Sequence, residues 1–123
     1  DSFVAGFIGA PPMNLIEGEL KDGAFTGPGV TVTDLPRHHS GRATLGVRPE
    51  DCHVTGTDGH LTGSVYGVEP TGDVTYLTLA AGDRLIEIKA DRDYRADLDT
   101  AASVAFDPAR LYLFDSGTGA RLR

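Results

Sequence analysis

The stretch Arg84-Leu85-Ile86-Glu87-Ile88-Lys89 limits the fold of this chain more than any other. Its side chains alternate with a period of two, so Ile86 and Ile88 face inward while Glu87 and Lys89 face outward. The same alternation runs through Leu15–Leu20, where Ile16 and Leu20 oppose Glu17 and Glu19, and again through Val30–Thr33. A half-buried strand produces this pattern, and the chain repeats it in short segments.

Turn residues separate the segments. Leu61–Val68 and Val74–Leu79 flank Glu69-Pro70-Thr71-Gly72-Asp73, which reads as a hairpin, and Ala80-Ala81-Gly82-Asp83 turns the second strand into the Arg84 strand. Ala43–Val47, Ser103–Phe106 and Leu111–Phe114 complete a set of about eight short strands. Sixteen glycines and seven prolines supply the turns such a chain needs. The expected architecture is therefore all-β, a small barrel or sandwich, with Ile16, Val30, Val32, Leu45, Val47, Ile86, Ile88, Val104 and Leu113 in its core. One helical element is expected, at Ser2–Ile8. Ser2 suits its N-cap, Phe3 and Phe7 share one face, and Pro11-Pro12 end it. Residues 1–12 thus read as a short helix and junction, and residues 13–123 as one domain.

Charge and composition narrow the function. A net charge of −7 repels phosphate backbones and weighs against nucleic acid as a partner. Cys52 is the single cysteine, so no intrachain disulfide can form, which fits a reducing, intracellular setting. His38-His39 sit in a Pro/Gly-flanked loop with His53 and His60 further on, a spacing that does not make a metal set. Asp91-Arg92-Asp93 with Asp97 and Asp99 lacks the glycine and terminal glutamate of a calcium loop. The serines lack a nucleophile-elbow context, and Gly117-Thr118-Gly119 is too short to cradle a phosphate. These residues give catalysis no foundation, and no metal or cofactor is expected in this chain.

Arg48-Pro49-Glu50-Asp51 is more informative. Proline suits the first position of a short helical turn, and the two acids complement its positive end. The plain reading is strand-end punctuation with a local Arg48–Glu50 ion pair. The functional reading makes Arg48 and Glu50 a polar anchor for a neighbouring domain.

Four ordered motifs, "FVAGFIGAPPMN" (3–14), "LGVRPED" (45–51), "VEPTGDVTYL" (68–77) and "RLYLFDSGTGARL" (110–122), carry a resemblance. Together they resemble the C-terminal part of ABC ATPase subunits of sugar and glycerol-3-phosphate importers, whose C-terminal module is the transport-associated OB (TOBE) domain. The loop 34–42 and the stretch 91–100 carry no such signal.

The resemblance implies an OB-like barrel acting as a non-catalytic regulatory and dimerisation domain, with residues 1–12 as the junction to a nucleotide-binding domain missing from this chain. Its implied partners are its own nucleotide-binding domain, a second copy of the ATPase subunit, permease subunits and a cytosolic regulatory protein. ATP and Mg would belong to the whole subunit, on the cytoplasmic side of the bacterial inner membrane, and not to this part. Phe3, Phe7, Met13, Asn14, Arg48, Glu50, Glu69 and Gly72 lie within the motifs and are the expected interaction residues. An OB-type module binding a small oxyanion or an oligosaccharide is the alternative.

Overall fold

A computed structural model describes residues 12–37 and 39–123. Its first meander comprises β1 (Asn14–Lys21), β2 (Ala24–Gly27) and β3 (Val30–Val32), and β4 (Gly41–Val47) returns along the other side of β1. A 3-10 turn at Pro49–Asp51 leads into β5 (Cys52–Thr55). The second meander comprises β6 (Leu61–Pro70), β7 (Val74–Ala81) and β8 (Arg84–Asp91). β9 (Ala101–Phe106) pairs with both β5 and β6, and β10 (Tyr112–Asp115) lies beside β4. All pairings are antiparallel, in the order β10-β4-β1-β2-β3-β6-β7-β8 with β5–β9 branching from β6. The curled sheet is consistent with an OB fold.

The strands form where alternation requires them, and the turns where backbone chemistry allows. Asp22 and Gly23 both adopt positive φ, 52° and 79°, which joins β1 to β2 through a two-residue turn matching the twist of the strands. In mid-strand, a side chain at Gly18 would collide with the Thr26 carbonyl and the Phe25 ring, so the absence of a Cβ lets Phe25 pack across β1. All nine core residues expected from alternation are 3% exposed or less, and Phe25, Leu61, Leu77, Leu79 and Phe106 join them.

Two elements differ in number from the expectation. The described residues form ten strands, β2 and β5 being additional to the eight read from the sequence. The expected helix at 2–8, with Phe3 and Phe7, lies outside the described residues.

The two meanders meet at two junctions, β3 with β6 and β1 with β8. At one junction β3 and β6 share a single register pair, Val30 with Leu61, supported by Thr31 N–H to His60 O and Thr62 N–H to Gly29 O. At the other, β1 and β8 share no ladder. The buried Asn14 side chain bridges them: its Nδ2 donates to Glu87 O at 2.8 Å, and Glu87 N–H donates to its Oδ1 at 2.9 Å. Arg84 Nη1 adds a bond to Leu15 O at 3.1 Å.

Packing and charge at β8 each generate a prediction. Ile86→Ala removes a side chain that is 2% exposed and should cost about 2–5 kcal/mol in denaturant unfolding. A change within about 0.5 kcal/mol would refute its place in the core. Burial pushes the Glu87 carboxyl above its ordinary value and the Glu69 charge pushes it further, while the Thr78 hydroxyl bonded to it opposes both. The folded state therefore holds this proton more tightly than the unfolded chain. The resulting stability is fully present below the ordinary pKa of 4.5 and is lost as pH rises through the raised folded value. Glu87→Gln should melt higher than the unsubstituted protein near neutral pH and no higher below 4.5. Equal shifts in both ranges would overturn the assignment.

Candidate functional site

Three of the four sequence motifs meet on the outer face of β1, β4 and β10. Across these strands Leu15 lies opposite Gly46 and Gly46 opposite Tyr112, while Glu17, Thr44 and Phe114 form the adjacent row. Leu15 is 50% exposed, whereas Tyr112 and Phe114 are partly buried, their rings parallel with centroids 6.3 Å apart. Met13 folds onto the same face. Its Sδ lies 2.6 Å from where a Gly46 Cβ would stand, and Phe114 Cε2 and Tyr112 Cβ lie 3.3 and 3.4 Å from that point. Glycine at 46 thus makes room for Met13 and for the two aromatic side chains beside it.

Two cations sit on Tyr112. Arg48 leaves β4 and carries its Cζ to 5.1 Å from the ring centroid. Arg121 comes from the C-terminal segment, which bridges back to Phe114, and places its Cζ at 4.7 Å. Tyrosine attracts a guanidinium through the negative face of its ring, and the planar guanidinium stacks there readily. The turn that returns the chain is built by Asp115, whose Oδ1 accepts Gly117 N–H at 2.8 Å and Thr118 N–H at 2.9 Å. Those bonds, Thr118 foremost, hold its carboxyl below the usual range. Next to it, Glu17 accepts hydrogen bonds from Thr44 and Ser116, which fixes the row beside the aromatic pair.

The other expected residues are distributed differently. Asn14 is turned inward, with its amide used on Glu87. Glu50 is exposed, and no ion pair joins it to Arg48 among the described residues; this corrects the local pair expected from sequence. Arg48 instead takes the Tyr112 ring, a partner 64 residues along the chain. The acid of this turn that approaches a cation is Asp51, which is buried and lies 4.0 Å from Arg110 Nε. Its other oxygen has no hydrogen-bond partner among the described residues. Glu69 is exposed, and Gly72, at φ 101°, shapes the β6–β7 turn. That turn reaches the 3-10 segment, because Glu50 and Asp73 line one shallow cleft with His53 and Lys89.

Tyr112, Arg121 and Gly46 escape sequence reasoning as site residues. They lie within the quoted motifs, yet nothing in their spacing announces a shared ring. The histidines have separate roles. His60 accepts Phe106 N–H through Nδ1 and stacks on the Phe106 ring, whereas His53 stands exposed on β5. Among the described residues no three His, Cys, Asp or Glu side chains converge as a metal site, and no helix is long and apolar enough to cross a membrane.

Comparison with known proteins adds two family matches. The MalK OB fold domain matches residues 9–52, and the TOBE domain matches residues 45–114. The two overlap on 45–52, the segment that runs from Leu45 through Arg48 to Cys52. The sn-glycerol-3-phosphate import ATP-binding protein UgpC of Jannaschia sp. is 34% identical over 98% of this chain. The xylose/arabinose import ATP-binding protein XacK of Haloferax volcanii is 35% identical, and UgpC of Rhizobium meliloti 37%, each again over 98% of this chain. The chain spans only 35% of the length of each of these relatives.

Burial of Cys52 at the end of the 45–52 segment has a chemical consequence. Cys52 closes it, its thiol donating to Arg48 O at 3.4 Å, and burial followed by the charges of Asp51 and Glu50 pushes that thiol up to about 12. Only the thiolate attacks alkylating reagents, so native Cys52 should react with iodoacetamide at least about a hundredfold more slowly than the same protein in denaturant. Comparable rates in the two states would show that the segment opens readily.

Proposed function

This chain belongs to the TOBE domain family, and we propose that it is the non-catalytic regulatory and dimerisation domain of an ABC importer ATP-binding subunit. The reading rests on one observation. Proteins named as import ATP-binding proteins resemble this chain over nearly its whole length, while it spans about a third of theirs. In such a subunit the remaining length would carry ATP and Mg, and this domain would act on it from outside the reaction. Sugars or glycerol-3-phosphate would be the imported solutes, the classes that the relatives' names print. The partners would be the subunit's own nucleotide-binding domain, a second copy, the permease subunits through that subunit and a cytosolic regulator, with this domain on the cytoplasmic side of the bacterial inner membrane.

The geometry supports a role in contact. The outer face of β1, β4 and β10 offers half-exposed Leu15, two aromatic side chains and two guanidinium groups. Buried apolar area combined with charged hydrogen bonds is what an interface anchor supplies.

The test compares the isolated chain with a full-length subunit, and that subunit with a form truncated before residue 13. The isolated chain should give no calorimetric heat with ATP beyond dilution. In sedimentation it should self-associate weakly, because separation from a linked nucleotide-binding domain lowers the effective concentration. The truncated subunit should still bind ATP but show altered dimer stability and regulation of hydrolysis. Micromolar ATP binding by the isolated chain would overturn the non-catalytic reading. Unchanged oligomeric state and regulation after truncation would overturn the regulatory one.

A further inference from the structure

We propose that Arg48 and Arg121, held on Tyr112, form a clamp for a carboxylate presented by the domain that precedes residue 12 in the full-length subunit. The proposal deepens the reading above and rests on it for the identity of that domain.

The first observation is an imbalance of partners. Arg42, Arg92 and Arg110 each approach a carboxylate, and Arg84, Arg95 and Arg123 each donate to main-chain oxygens. Arg48 and Arg121, like Arg37, have neither kind of partner among the described residues, but these two alone are held on an aromatic ring there. This occurs in a chain with 18 acidic residues against 11 basic ones, where a carboxylate could readily have been placed beside them. An arriving carboxylate uses the planar N–H forks that the ring contact leaves unoccupied.

The surroundings indicate how the anion arrives. Leu15 is half exposed beside Gly46, and Met13, Tyr112 and Phe114 are only partly buried, so the clamp sits within an apolar sheet face. A free anion gains nothing from that apolar area, whereas an acidic side chain on a protein surface would cover it. The path of the chain selects the surface. Met13 lies directly over Gly46, so the polypeptide enters the domain at the clamp itself. Whatever precedes residue 12 is tethered there at high effective concentration. In the relatives, this chain accounts for only 35% of the length, which leaves ample protein to be delivered to this face.

The experiment uses the full-length subunit with Arg121→Lys or Arg48→Lys, treated with a zero-length carbodiimide that joins amines to carboxylates in contact. Peptide mapping should find a link from position 121 or 48 to an Asp or Glu located before residue 12 of the same polypeptide. The matching Arg→Gln variants should lack that link and melt within a few degrees of the unsubstituted protein. Mixing isotopically light and heavy subunits separates links within one polypeptide from links between copies. Links only to a second copy, links only within residues 12–123, or no link at either position would each overturn the proposal. Failure of the functional reading is distinguishable, because ATP binding by the isolated chain would refute that reading whatever the mapped link.

Discussion

One side-chain amide holds the curl of this sheet. β1 and β8 approach each other without sharing a ladder, and Asn14 fills the gap by offering Glu87 an N–H donor and a carbonyl acceptor, as a neighbouring peptide would. The two residues are 73 positions apart, so the contact closes most of the chain into one loop. Aspartate at this position would keep the acceptor and lose the donor, and leucine would lose both. The bond pair also occupies the middle of the outward edge of β8, which would otherwise be available for pairing with a foreign strand.

The alternation of β1, β3, β4 and β8 made the buried face legible, since Ile16, Val32, Leu45 and Ile88 stand on the expected side. β2 and β5 were not legible, and each for a physical reason. Ala24-Phe25-Thr26-Gly27 is four residues long between a glycine and a proline, and Phe25 alone marks its inward face. In Cys52-His53-Val54-Thr55 the apolar contrast is weak, and its strand character comes from pairing with β9. The site was legible only as separate pieces. Arg48 and Met13 stood out within motifs, but their contacts with Tyr112 and Gly46 depend on a register between strands that are distant in sequence. The expected Arg48–Glu50 pair failed because the extended backbone at Arg48, with ψ 148°, directs its side chain across the sheet toward β10.

The two family matches share the segment 45–52. The overlap at 45–52 covers the last residues of β4, the 3-10 turn and the start of β5. This short run supplies core side chains at Leu45 and Val47, the Gly46 gap, the Arg48 cation and the buried Cys52. Packing inside and the contact proposed outside therefore draw on neighbouring residues of one short run, which leaves few positions that serve either purpose alone.

Met13 and Asn14 are consecutive, and an extended backbone sends their side chains to opposite faces of the sheet. One rests against the aromatic pair outside, and the other fastens β8 from within. Mechanically, the entry to the domain is a lever with two short arms. A force on the backbone at Pro12 would therefore reach both sides of the sheet, through Met13 on the aromatic face and through Asn14 at the seam between β1 and β8.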